Sequence, residues 1–320
     1  MKMMLKKVLL FLLTLGILLC ASACQPADDG KDTTETTTDE TTTEEETTTE
    51  EETTTEEEET TAGEPEPPTR AQMILDMEEL DVLALGDSLF YGAYDCVDEK
   101  VWVNRLGEEM YWNLSNLGVG GMTVSLTANN AKAGKSSMYD RLFNLDGYFY
   151  GSNFDPAYYQ TGYLIGKTKD EVDLILLEGG CNDYGYAIAA PLGTVEDNCP
   201  DTFLGAWNAI TQKLLEDYPN AIIIFITPWE LNGSQSRPDG MASIPFTRSI
   251  VTLYEQKYAN NDRVFLIDAG DPAVSGVNMN DKAWKSTYSY DNYHLKENGM
   301  EIMAEHMLPL IWDIYINRTK

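Results

Sequence analysis

Five short apolar runs punctuate the chain after residue 80. Asp81-Val-Leu-Ala-Leu85 stops at Gly86, and Asn113-Leu-Ser-Asn-Leu-Gly118 is a weaker run. Val172–Leu177, Ala221–Ile226 and Arg263–Ile267 are nearly continuous in Val, Ile, Leu and Phe. Such runs, bounded by turn residues, read as strands buried on both faces, the usual condition in a parallel sheet. Longer amphipathic stretches lie between and after them: Thr202–Tyr218, Pro245–Tyr258 and Lys296–Tyr315. In the last, Met300, Met303, Met307, Leu310 and Ile314 recur at three- and four-residue steps, which puts them on one face of a helix. Strands alternating with helices predict a three-layer α/β domain, with a parallel sheet of about five strands and right-handed crossovers. Ligands of such sheets bind beyond the carboxyl ends of the strands.

Residues 1–69 follow no such pattern. Lys2, Lys6 and Lys7 precede the apolar run Val8–Cys20, and the small residues Ala21-Ser22-Ala23 lead into Cys24. A basic start, a short apolar segment and small residues read as a secretory signal. The run is shorter than the roughly 20 residues that span a bilayer. Its end resembles the lipobox of bacterial lipoproteins, with Ala21 where Leu is more usual. That resemblance implies lipidation at Cys24; cleavage without lipid is the alternative. Residues 25–69 hold no aromatic residue and no Leu, Ile or Val, but 18 acids against Lys31. Such a segment cannot bury enough apolar surface to offset chain entropy, so a disordered, self-repelling linker is expected. Its many Thr leave room for an O-glycosylated stalk. The expected organisation is thus a signal at 1–24, a linker at 25–69 and one domain at 70–320, held at the outer face of a bacterial membrane by lipid alone.

Charge narrows the partners. The whole chain carries -31, and residues 70–320 keep -17 of it. An acidic surface disfavours nucleic acid and anionic membranes. Two His and no Cys-x-x-Cys leave nothing with the spacing of a metal site.

Four blocks follow the runs. Gly86-Asp87-Ser88-Leu89 is placed to expose a Ser hydroxyl at a strand-to-helix turn, or simply to cap a helix. Asn116-Leu-Gly-Val-Gly-Gly121-Met-Thr123 is a glycine loop whose N–H groups can approach a ligand, or an ordinary turn. Gly179-Gly180-Cys181-Asn182-Asp183 offers an Asn amide to developing negative charge, or a local Asx turn. Asp291-Asn-Tyr-His294 has the spacing that lets a carboxylate fix an imidazole tautomer. The other histidine, His306, falls mid-helix and reads as structural.

In this order the four blocks resemble the SGNH, or GDSL-type, hydrolases, over about residues 78–316. His294-Leu-Lys-Glu-Asn-Gly299 resembles the family's His-Pro-x-x-x-Gly extension, with Leu295 in place of Pro. Met122 replaces an Asp often found after the second-block Gly. The resemblance implies a flavodoxin-like sheet and a serine esterase without cofactor. It implies Ser88 as nucleophile, His294 as base and Asp291 as its orienter. It implies an oxyanion hole of the Ser88 and Gly121 N–H groups and the Asn182 side chain. The expected substrate is an acetylated carbohydrate or another short acyl ester; lipid acylhydrolysis and an idle carbohydrate-binding module are the alternatives.

Cys96, Cys181 and Cys199 remain in the domain; in an exported protein a Cys181–Cys199 bridge would brace the Asn182 loop, but the odd count leaves any pairing open. Nine aromatic residues between Tyr139 and Tyr163 suggest a packed lid, or a wall that stacks on sugar or acyl groups.

Overall fold

The computed structural model describes residues 67–126, 137–143, 169–185, 190–229 and 242–317. The expected signal and all but the last residues of the linker lie outside them. Those after Pro67 belong to one unit, Pro68–Lys320.

The strands are β1 Asp81–Leu85, β2 Gly92–Ala93, β3 Cys96–Val97, β4 Asn113–Asn116, β5 Leu174–Glu178, β6 Ile222–Ile226 and β7 Val264–Ile267. Five form one sheet, in the order β4-β1-β5-β6-β7, and every pair is parallel. β2 and β3 make a separate antiparallel hairpin. The chain winds outward from β1 first to β4 and then, in the other direction, to β5. The order is therefore flavodoxin-like, and the switch point lies between β1 and its two neighbours.

Successive side chains of a strand point to opposite faces, and both faces here are buried. Val82, Ala84, Leu174, Leu176, Ile222 and Ile224 pack with Trp102, Leu106, Met303 and Met307. Leu83, Leu85, Ile175, Leu177, Ile223 and Phe225 pack with Phe203, Trp207, Phe246 and Ile250. Helices Arg70–Met77, Trp102–Glu109 and Glu297–Asn317 thus cover one face. Met138–Phe143, Phe203–Asp217 and Ser243–Leu253 cover the other. Two full layers explain why alternation is missing from the strand sequences. A buried Leu truncated to Ala in such a core costs about 3 kcal/mol.

Element ends have local causes. Thr202 caps its helix by accepting from Gly205 N–H. The helix expected from Pro245 starts two residues earlier, at Ser243. Pro245 sits in the first turn, where a missing N–H breaks no helical bond. That helix ends in a π-turn, Tyr254–Tyr258. Trp102–Glu109 and Met138–Phe143 are too short for a clear helical period in sequence.

Candidate active site

Each block reaches the same end of the sheet by a different route. After β1, Asp87 caps the four-residue helix Ser88–Tyr91, its Oδ1 accepting from Leu89 N–H at 3.0 Å. Capping and a placed hydroxyl are therefore not rivals here. The cap starts the helix, and the start fixes Ser88, only 7% exposed. Ser88 Oγ lies 3.0 Å from His294 Nε2, and His294 Nδ1 lies 2.6 Å from Asp291 Oδ2. The second oxygen, Asp291 Oδ1, accepts from the backbone N–H groups of Tyr293 at 3.1 Å and His294 at 2.7 Å. The loop closes on itself through Tyr290 N–H to the His294 carbonyl, and Trp229 Nε1 donates to the Tyr293 carbonyl. Partial burial pushes the Asp291 carboxyl up, but hydrogen bonds from His294 and Tyr94 outweigh it and hold it below its ordinary value. Asp291 is thus a carboxylate at neutral pH.

The glycine loop after β4 carries Gly121 at φ +78°, a left-handed conformation that a side chain would strain. The N–H groups of Gly121 and Ser88 meet no acceptor among the described residues. Beyond the glycines, Asp183 accepts from Val124 N–H at 2.8 Å, Ser125 N–H at 2.9 Å and the Ser125 hydroxyl. One buried carboxylate therefore ties the second block to the third.

Asn182 follows Gly180, whose φ of +127° and contact with the Phe203 ring leave no room for a Cβ. The Asn182 amide does not fold into a local Asx turn. Its Nδ2 donates to Asp87 Oδ2 and to the Met122 carbonyl, both at 2.9 Å. Both amide protons are thus engaged in the resting site.

Beneath these groups lies a pair of buried acids that sequence reading passes over. Asp87 is 0% and Glu178 1% exposed, and Asp87 N–H donates to Glu178 Oε2 at 3.4 Å. Burial pushes Asp87 up to about 6. Burial, and then the Asp87 charge, holds Glu178 well above the usual carboxylate range. Glu178 Oε1 meets no donor, as suits a carboxyl that keeps its proton. Ninety-one residues separate the two, so no local motif announces the contact.

Cys96, Cys181 and Cys199 form no disulfide among the described residues, so the Cys181–Cys199 bridge that the sequence left open is absent. Cys181 instead accepts a hydrogen bond from the Tyr293 hydroxyl. Burial, followed by the Asp87 charge, pushes its thiol well above the usual range, which makes it a poor nucleophile. Of the aromatic stretch, only Tyr139 and Phe143 are described; their rings stack on each other at 4.2 Å. The rings next to the imidazole are Tyr94 and Tyr293, with centroids 6.1 and 5.1 Å from it. Tyr94 donates its hydroxyl to Asp291 Oδ2 at 3.1 Å. Its sequence signal is slight: it follows Ser88 by six residues. His306 is exposed on the last helix, and Gly276 leaves room for its ring.

A parallel flavodoxin-like sheet with a Ser, a His and three strand-end loops over its switch point defines the class: an α/β hydrolytic enzyme. The chain belongs to the GDSL-like lipase/acylhydrolase family, whose profile matches residues 82–307, and by that membership it is an ester hydrolase. Among solved structures it is similar to a protein from Lactobacillus plantarum, at 18% identity and a TM-score of 0.51, over 73% of this chain and 97% of that one. It is also similar to a family two carbohydrate esterase from Clostridium thermocellum in complex with cellohexaose, at 13% identity and a TM-score of 0.50, over 75% and 66% of the two chains. A third likeness is to a carbohydrate esterase family 2 enzyme plus carbohydrate binding domain from Corynascus thermopiles, at 15% identity and a TM-score of 0.50, over 75% and 67%. At such identities the likeness is one of fold. No curated protein sequence matches the chain.

Proposed function

We propose that this protein is a serine esterase that removes acetyl or other short acyl groups from carbohydrate, anchored outside a bacterial cell by a lipid on Cys24. The observation that carries the chemistry is the unbroken line from Asp291 through His294 to Ser88, at 2.6 and 3.0 Å. Ser88 Oγ passes its proton to His294 Nε2 and attacks the ester carbonyl carbon. The carbonyl oxygen becomes an oxyanion that the free N–H groups of Ser88 and Gly121 are available to meet. Asn182 joins them by releasing one of its two present acceptors, and each such donor typically lowers the barrier by about 3 kcal/mol. His294 then gives its proton to the leaving alcohol oxygen, and the acyl group stays on Ser88. Water attacks the acyl-enzyme, loses a proton to His294 and releases the acid, and the proton returns to Ser88 Oγ. Asp291 keeps the imidazole in one tautomer and offsets its transient positive charge.

Two observations favour a neutral carbohydrate ester. The domain carries -17 beyond residue 69, which repels anionic head groups. The exposed ring of Tyr94 borders His294, and an open aromatic surface suits a sugar better than an alkyl chain. A series of p-nitrophenyl esters from acetate to decanoate, run beside acetylated xylan, tests the reading. Acetate is expected to be fastest; a maximum at octanoate or longer would instead make the protein a lipid acylhydrolase. Fatty-acid labelling of the wild type and of Cys24→Ser tests the anchor, which fails if both label equally.

A further inference from the structure

Exposed tyrosines stand on the Ser88 helix, on the β2–β3 turn and beside Asp291, and the reaction steps above use none of their rings. Tyr91 ends the helix that Ser88 begins and is 50% exposed. Gly120 lies against its ring, because a Cβ there would come 3.6 Å from Cδ1. Tyr94 is 65% exposed at the turn of the β2–β3 hairpin, with φ at +59°. A bulky residue rarely holds that left-handed conformation, and the strain needs surroundings that enforce it. Two hydrogen bonds do so. The Tyr94 hydroxyl donates to Asp291 Oδ2 at 3.1 Å, and the Tyr290 hydroxyl donates to Asp95, the next residue of the turn. The Tyr94 and Tyr290 rings lie 4.8 Å apart, tilted by 36°. Large rings kept out of the core, on a strained turn fastened to the Asp291 loop, contribute little to folding, and that of Tyr94 stands beside His294.

We propose that Tyr94 and Tyr290 form a subsite that stacks on a pyranose ring of the alcohol side of the ester, and that the Tyr94 hydroxyl couples this subsite to Asp291. The inference rests on the carbohydrate-ester reading and names the surface that would select for it. The chemistry of the rim chooses the occupant. Asp95, Asp291 and two phenolic oxygens edge the rings. An alkyl chain laid across them would strip water from these groups and return no hydrogen bond. A pyranose ring covers an aromatic face with its C–H groups and turns its hydroxyls toward the carboxylates, so both kinds of surface are satisfied. Tyr94 is on this account a positioning residue as well as a binding one. Its hydroxyl shares with the imidazole the same oxygen of Asp291, so a sugar that presses on the ring also fixes the carboxylate.

The test compares kcat and KM of the full-length protein on acetylated xylotriose and on p-nitrophenyl acetate. Tyr290→Leu should lower the ratio of kcat/KM, sugar over p-nitrophenyl ester, about fivefold and mainly through KM, the scale of one aromatic contact. Tyr290→Trp should restore most of the ratio, which separates stacking from a folding defect. Tyr94→Phe keeps the ring and should lower kcat about threefold on both esters, the scale of one lost hydrogen bond, with the sugar KM held. A ratio that stays within about twofold of wild type in Tyr290→Leu, while wild type cleaves both esters, would overturn the subsite and leave the esterase reading standing. A wild type that cleaves p-nitrophenyl octanoate and not acetylated xylotriose would overturn the carbohydrate reading, and the subsite with it.

Discussion

The two halves of the candidate site are built differently. Ser88, Asp87, Asn182 and Asp183 stand at the ends of β1 and β5, wedged between the sheet and its helices. Asp87 and Asp183 are at most 1% exposed, and their hydrogen bonds join residues far apart in sequence. Asp291 and His294 ride on an exposed loop, with side chains 34% and 25% accessible, and most of their bonds run within that loop. The Ser88 half is thus part of the fold, whereas the His294 half is attached to it. A substitution in the first half should disturb stability and chemistry together; one in the second should separate them.

The largest effect tests that separation. His294→Ala should lower kcat by about a thousandfold or more, as loss of a base in a serine triad does, and leave Tm within about 2 °C of wild type. Thermal melts beside ester hydrolysis decide it; an equal loss of stability would erase the distinction. Asp183→Ala should behave in the opposite way. It strands the N–H groups of Val124 and Ser125 and the Ser125 hydroxyl, at a cost of about 3 kcal/mol in urea unfolding. A cost under about 1 kcal/mol would mean that the two loops do not depend on this carboxylate. Trp229→Phe, which removes the donor to the Tyr293 carbonyl, should cost about 1 kcal/mol and lower kcat a few-fold. That result would show how firmly the outer loop is tied.

The smallest effect is one of pH. Asp87 and Asp183 are pushed up to about 6 by burial, from an ordinary 3.8. An acid with a raised folded value binds its proton more tightly when folded. Its contribution to stability is complete below about 4 and is lost as pH rises through about 6. Wild type should therefore be less stable at pH 7 than at pH 5, and Asp183→Asn should flatten that slope. A wild type whose stability rises over the same interval would contradict the assignment.

Legibility in the sequence follows the same division. β1 ends where its apolar run ends, and the remaining runs lie within two residues of β4 through β7; in β1, β5 and β6 burial on both faces leaves a continuous apolar signal, whereas the edge strand β4 is half-exposed and its run is weaker. The four blocks were visible because each is contiguous and rich in Gly, Asp or Asn. The Asp87–Glu178 pair and the two acceptors of Asn182 were not, since they join residues 60 or more apart. Tyr94 escaped for the same reason, at 197 residues from Asp291. The aromatic stretch from Tyr139 to Tyr163 drew attention by its density, yet a ring's composition says nothing of its neighbours.

The central claim is that Ser88 is the group acylated. Full-length protein treated with a fluorophosphonate, digested and mapped by mass spectrometry should carry one adduct, on the peptide containing Ser88. Ser88→Ala should remain unlabelled and lose all but a trace of acetyl ester hydrolysis, with its melting curve unchanged. An adduct on another residue, or a Ser88→Ala protein that keeps a tenth of the wild-type rate, would contradict the account.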